Sequence, residues 1–319
     1  MTALRKAFVL GAGLGTRLRS LTGRLPKPLI PICGKPLISF AFDHLLRNGV
    51  QELVINTHHC PEAYAAAFPD ARYRNVPLHF EHEPVLLETA GGLKNAEKYL
   101  RSETFLVYNG DILSDLPLQR AIEQHFIARN EVTLILRSVG GPLHISLDSA
   151  SGRVVDIAGR LGAAGTGNFL FTGIYVVSPS FLLKIPSRTK ISVIPIFMNM
   201  IQRGQKLGGI VIDEGNWWDL GTREKYLEVH RHFAEPNFAF ARHNDGLWPR
   251  WVHPEAHIAP SAKITGATVV GAGAVVGERA TLHDTIVWER AQIAPGADLR
   301  SCIVTAGQMA SGAHAGLDF

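Results

Sequence analysis

Residue types suited to phosphate chemistry fall at three places in this sequence. The apolar run Ala7-Phe8-Val9-Leu10 leads into Gly11, Gly13 and Gly15, with Thr16 and Arg17 directly behind. Glycines after a strand let backbone N–H groups approach a phosphate without Cβ obstruction, and Arg17 adds a forked cation. Lys27 follows inside Pro26-Lys27-Pro28, where two prolines stiffen the chain and restrict where the ammonium points. Far downstream stand Asp111, in Asn109-Gly110-Asp111, and Asp219, in Trp218-Asp219-Leu220-Gly221. A backbone nest with two cations reads as a triphosphate site. The two carboxylates beside it would suit Mg²⁺, which takes one or two carboxylates plus phosphate oxygens. Each aspartate also has a plainer reading: Asp111 as the cap of a loop, Asp219 as an acceptor for backbone N–H groups near Thr222.

Two familiar phosphate motifs do not fit. A dinucleotide fingerprint needs Gly-x-Gly-x-x-Gly opening a helix, but Thr16 stands where the third glycine belongs. A Walker loop needs Gly-Lys-Ser/Thr, but Gly34-Lys35 is followed by Pro36.

The elements that position these residues alternate in type. Predicted helices cover 36–48, 61–68, 91–101, 118–130, 192–203 and 223–233, the last capped by Thr222. Predicted strands cover 7–10, 52–56, 78–82, 104–108, 132–138 and 207–212, and 143–177 reads as antiparallel. This β-α-β rhythm implies an α/β fold with a Rossmann-like, mostly parallel sheet and helices on both faces. Ligands of such sheets bind at the carboxyl ends of strands, where Gly11 and Asp111 fall. Pro236, Asn237, Asn244, Asp245, Gly246 and Pro249 mark a linker over 235–251. Beyond it Val252, Ile258, Ile264, Val270, Val276 and Leu282 recur every six residues, slip by one, and resume at Val287, Ile293 and Leu299. Small residues follow four positions later at most steps, as in hexapeptide repeats of a short left-handed parallel β-helix. The expected domains are 1–234, a linker at 235–251, and 252–319.

Composition narrows the class. A chain of 319 residues with 46% hydrophobic and 19% charged residues is ordinary for a globular protein, and a net charge of +4 argues for neither nucleic acid nor membrane. Cys33, Cys60 and Cys302 lack metal-type spacing and read as free thiols of a cytoplasmic protein. His58-His59 would face opposite ways on a strand end, so they make a poor metal pair.

Taken whole, Gly-x-Gly-Thr-Arg-Leu, Thr22, Pro-Lys-Pro-Leu and Gly-Lys-Pro-Leu resemble the sugar-phosphate nucleotidyltransferases (NDP-sugar pyrophosphorylases), with thinner matches to about residue 232. The resemblance implies attack by a sugar-1-phosphate oxygen on the α-phosphorus of a nucleoside triphosphate, with pyrophosphate leaving in line. Arg17 and Lys27 would hold the triphosphate, and Asp111 and Asp219 would hold Mg²⁺. The base would lie over Leu10, Ala12 and Gly13 and approach Glu88-Thr89-Ala90-Gly91-Gly92, with Glu81 as a candidate reader of guanine or simply a solvated carboxylate. Glycine is usual in the family where Glu88 stands, and a Glu there is similar to the bacterial muramate-phosphate uridylyltransferases. Asn109, Gly110 and Gly173, in Thr172-Gly173-Ile174-Tyr175, would face the sugar. The family's Glu-Lys grip on the sugar phosphate is missing, which leaves Arg160 and Asn168 as substitutes. A nucleotidyltransferase domain with a short hexapeptide tail is similar to mannose-1-phosphate guanylyltransferases and favours GTP with mannose-1-phosphate. UTP with N-acetylmuramate-1-phosphate, and UTP or dTTP with glucose-1-phosphate, stay open. So do a hexapeptide acyltransferase and a non-catalytic subunit. The β-helix is expected to support a homo-oligomer.

Overall fold

In the computed structural model, residues 4–13, 15–23, 25–238, 240 and 248–319 are described. Asn244, Asp245 and Gly246 of the expected linker therefore lie outside the described residues, as do the side chains of Thr16, Arg19 and Ser20. Contacts divide the chain into two compact units: Met1–Leu14 with Ile38–Trp217, and Gly15–Leu37 with Trp218–Phe319. No helix among the described residues is long and apolar enough to cross a membrane.

The first unit is built on a ten-stranded sheet. Lys6–Leu10 lies at its middle, parallel to Glu52–Thr57 on one side and to Phe105–Asn109 on the other. Along these strands successive side chains alternate faces, yet Phe8, Val9, Val54, Ile55, Leu106 and Val107 are all fully buried. Both faces are therefore covered, which explains the unbroken apolar runs. One cover is formed by helices Glu88–Asn95, Glu97–Leu100 and Val193–Gln202, whose Leu93, Leu100 and Phe197 join Phe8 and Val107 in one core.

The antiparallel element predicted over 143–177 takes a central place. Gly167–Val177 runs antiparallel to both Phe105–Asn109 and Val132–Arg137 and so separates two strands that sequence order suggested as neighbours. Its pairing with Val132–Arg137 slips between Phe171 and Tyr175, where Gly173 adopts φ +77°. The expected helix 91–101 is two shorter helices, and the expected helix at 36 begins at Ile38 because Pro36 belongs to a two-residue strand.

In the second unit, three parallel sheets stack as a β-helix. Ile258 pairs above Val276 and Val276 above Ile293, steps of eighteen and then seventeen residues. The one-residue slip in the sequence thus marks the change from an eighteen-residue coil to a seventeen-residue step that Ile293 and Ala310 repeat. The inward Val270, Leu282, Val287 and Leu299 fill its core. The helix Arg223–Ala234 and the segment 15–37 belong to this same unit.

Candidate active site

In the first unit, two turns follow adjacent strands. Leu10 and Asn109 are register partners, and the N–H of Gly110 donates to the carbonyl of Leu10 at 2.9 Å. A Cβ on Gly110 would lie 2.5 Å from that carbonyl oxygen, so glycine is required by the closeness of the turns. Gly11 is enclosed as well. Its N–H donates to Asn56 Oδ1 at 2.9 Å, and its carbonyl accepts from Tyr64 Oη at 2.8 Å. Burial first, and then the negative charge of Asp111, push the Tyr64 phenol well above its ordinary range, which keeps it a donor. Ala12 is buried, whereas nothing lies within 4 Å of where a Cβ on Gly13 would stand. Open backbone at Gly13 is what a ligand approaching the turn needs.

The loop expected to meet base and sugar is held by a residue that sequence reasoning missed. Glu83 is completely buried. Its Oε1 accepts from Asn56 Nδ2 at 2.8 Å and its Oε2 from the N–H of Leu87 at 2.9 Å. Asn56 in turn holds Gly11, so one bonded path joins the glycine turn to the 85–92 loop. Burial raises the pKa of Glu83, while the bonds from Leu87 and Asn56 oppose that rise. A cue was present in the sequence: a polar Asn stands next to last in one buried strand and a Glu follows the neighbouring one.

The expected loop is the start of the helix Glu88–Asn95, whose first residue, Glu88, takes φ +62°, a left-handed conformation in which glycine is at ease. Thr89 Oγ1 accepts from the N–H of Val193 at 2.8 Å, and a Cβ on Gly91 would lie 2.5 Å from the carbonyl oxygen of Thr189. Glu81 forms an ion pair with Lys98 at 2.6 Å, so its carboxylate is already engaged. At the sugar end, a Cβ on Gly173 would meet Asn109 Nδ2 at 2.5 Å, which brings those two expected residues together. Arg160 and Asn168 are exposed. Arg160 sits in a loop shaped by Asp156, which accepts from the N–H groups of Leu161 at 3.1 Å and Ala163 at 3.2 Å, while Asn168 Oδ1 accepts from Ser146 Oγ at 2.6 Å. Trp217 donates to the carbonyl of Thr172 at 3.0 Å.

In the second unit, three charged side chains gather. Lys27 begins a buried turn, Lys27–Leu29, and its Nζ lies 3.5 Å from Asp219 Oδ1. Arg17 Nη2 lies 3.8 Å from Asp219 Oδ2. Lys27 is 6% exposed, so an anion beside it is a condition of its burial. Gly15, at φ +60°, and Thr22 shape this corner: Thr22 Oγ1 donates to the carbonyl of Gly15 at 3.1 Å, and a Cβ on Gly15 would press on Lys27 Cβ at 3.0 Å. A Cβ on Gly221 would come within 2.9 Å of the guanidinium of Arg17 at three atoms. The Gly of Asp-Leu-Gly thus makes the berth on which Arg17 lies. Thr222 caps the following helix, accepting from the N–H of Lys225 at 3.3 Å. Trp218 belongs to an aromatic cluster, with ring centroids 5.6 Å from Phe238 and 6.3 Å from Phe233.

The Nucleotidyl transferase family matches residues 6–235. A mannose-1-phosphate guanylyltransferase of Mycobacterium tuberculosis is 30% identical over 298 residues, 91% of this chain and 81% of that protein. An N-acetylmuramate alpha-1-phosphate uridylyltransferase of Neisseria meningitidis is 31% identical over 222 residues, 68% of this chain and 93% of its own. The crystal structure of HddC from Yersinia pseudotuberculosis complexed with GMP-PN shares the fold, with a TM-score of 0.59 at 23% identity over 70% of this chain and 97% of that one. The chain belongs to the nucleotidyl transferase family.

Proposed function

We propose that this protein transfers a guanylyl group from GTP to mannose-1-phosphate, with Mg²⁺, giving a nucleotide sugar and pyrophosphate. The observation that carries the reading is the convergence of buried Lys27 and of Arg17 on one carboxylate, Asp219, within the phosphate-type motif. Both cations are donors only, so they suit the β- and γ-phosphates and the charge that grows on leaving pyrophosphate. Backbone at Gly13 is free to approach the nucleotide, and Asn109 with Gly173 offers a neutral, close-packed wall for a pyranose.

Mg²⁺ is what the family resemblance implies. Among the described residues no group of three or more His, Cys, Asp or Glu side chains is placed to hold a metal. By that resemblance Asp111 and Asp219 would each give a carboxylate to the ion, with phosphate and water as its remaining ligands. When bound, it would neutralise phosphate charge. Guanine and mannose are favoured because the guanylyltransferase relative is 30% identical over nine-tenths of the chain, against 24% for a UTP–glucose-1-phosphate uridylyltransferase of similar coverage.

A second reading is UTP with N-acetylmuramate-1-phosphate. It is favoured by the Glu at position 88, where glycine is usual, and by the uridylyltransferase relative that aligns over nearly its whole length. Pyrophosphate release from GTP, UTP, dTTP, CTP and ATP with a panel of sugar-1-phosphates tests both. GTP with mannose-1-phosphate is expected to be fastest. UTP with the muramate sugar would select the second reading, and no release from any pair would overturn the assignment.

A further inference from the structure

The segment that carries Lys27 is tied down by groups that play no part in phosphate chemistry. Directly after the Lys27–Leu29 turn, Pro31–Ile32 pairs with Lys35–Pro36 around a turn at Cys33 and Gly34. The carbonyl of Pro31 accepts from Tyr226 Oη at 2.6 Å, and that of Ile32 accepts from Trp248 Nε1 at 3.0 Å. The N–H of Cys33 donates to His230 Nε2 at 3.3 Å. The backbone groups that would otherwise leave this turn loose therefore have partners in the C-terminal part of the chain.

Those partners rest on the β-helix. Tyr226 and His230 are fully buried on the helix Arg223–Ala234. Trp288, in a β-helix coil and 6% exposed, donates its Nε1–H to Tyr226 Oη at 3.1 Å. Two ion pairs fasten the same helix to the coils: Arg223 with Asp318 at 2.6 Å and Arg231 with Asp284 at 2.9 Å. A hydroxyl that accepts from Trp288 while donating to Pro31 is polarised in the direction of its own donation.

We propose that the β-helix takes part in nucleotide binding as the brace of the Lys27 segment, through the path Trp288 to Tyr226 to Pro31. Tyr226 and Trp288 are positioning residues. The structural claim stands alone, and its catalytic consequence rests on the reading of Lys27 as a triphosphate ligand. The sugar-facing Asn109 and Gly173 lie in the other compact unit, so the effect should fall on the nucleotide and spare the sugar phosphate.

The test uses the full chain with Tyr226→Phe, which removes both bonds, and Trp288→Phe, which removes one. Gln292→Ala, on an exposed coil position, is the control. Hydrogen exchange of peptides within 25–37 should quicken about two- to tenfold in Tyr226→Phe and less in Trp288→Phe, with peptides from 104–110 unchanged. KM for the triphosphate should rise by a similar factor, about two- to tenfold, while KM for the sugar-1-phosphate stays within about twofold. Unchanged exchange at 25–37, or exchange that quickens equally throughout the chain, would overturn the brace. If Tyr226→Phe does not fold, Trp288→Phe carries the test, since it keeps one aromatic ring at that buried place and loses the N–H with the rest of the indole. If the wild type released no pyrophosphate, the functional reading would fail while the exchange data would still judge the brace.

Discussion

In the unit built on the large sheet, four site residues, Gly11, Gly91, Gly110 and Gly173, are glycines with no room for a methyl group. A Cβ would stand 2.5 Å from a carbonyl oxygen at Gly110 and 2.6 Å from one at Gly11. The unit that holds the β-helix carries a charge cluster: Lys27 at 3.5 Å and Arg17 at 3.8 Å from Asp219. One region offers shape made of backbone, and the other offers a field made of side chains. Shape of this kind is inseparable from the fold, because the contacts that define it are also the sheet's own packing. A charge cluster is separable, because its members can be removed with the backbone intact. Substitutions in the two regions should therefore fail in different ways.

The largest effect is expected at Lys27. Lys27→Ala should lower kcat/KM by about 10²–10³, by analogy with loss of one donor to developing charge. Its melting temperature should stay near that of the wild type, because Asp219 retains Arg17 and is itself partly solvated. Pyrophosphate release measured beside thermal unfolding checks this. A variant that unfolds early with undiminished activity would erase the contrast between the regions.

Acid should act on both regions at once. His44 and His125 in the sheet unit, and His230 beside Cys33, are each driven from an ordinary 6.5 down to about 4, chiefly by burial. The unfolded chain then binds more protons than the folded one between those two values. Stability from these groups is full above about pH 6.5 and is lost as pH falls toward 4, by up to on the order of 3 kcal/mol for each imidazole. For His230 the reason is visible: its Nε2 accepts from Cys33, and a protonated ring has no acceptor. Denaturant midpoints at pH 7, 6 and 5 should fall in that order, and a flat profile would contradict the inferred burial.

Gly110→Ala probes the backbone side of the comparison. The added methyl meets the carbonyl of Leu10, which a paired strand holds in place, so relief requires moving the sheet. A loss of about 1–3 kcal/mol is expected, as for overpacking in a closed core. Activity should fall with stability, which is the mirror image of Lys27→Ala. Full stability in this variant would mean that the two turns can part without cost.

What the sequence revealed follows the same division. The strands, the glycine turn and the cations are local features, fixed by a few adjacent residues, and they were legible. The inward aliphatics of the β-helix stack with the one-residue slip where their spacing changes. Non-local choices were not legible. The insertion of Gly167–Val177 between two parallel strands depends on pairings some seventy residues distant from Phe105–Asn109 in sequence. Glu83 looks like any surface glutamate until Asn56 and Leu87 are placed on either side of it. Glu81, two positions earlier, drew attention as a base reader but is turned to Lys98. Alternation along an extended chain cannot tell which of two acidic residues will be enclosed when the cover is a later loop.

The smallest expected effect lies at Glu88, where backbone and charge arguments meet in one residue. Its φ of +62° costs a residue with a Cβ more than it costs glycine, and its exposed side chain has no packing to lose. Glu88→Gly should therefore stabilise the folded state by up to about 1 kcal/mol, less the extra backbone entropy that glycine gives to the unfolded chain. The urea midpoint should rise slightly with an unchanged slope. A lowered midpoint would mean that entropy outweighs the relief of strain, and that this carboxylate earns its position through the loop. The same variant reports on nucleotide choice. If Glu88 excludes one base, the ratio of kcat/KM for GTP over UTP should shift in Glu88→Gly, whereas a residue that only shapes the loop would change both values in proportion.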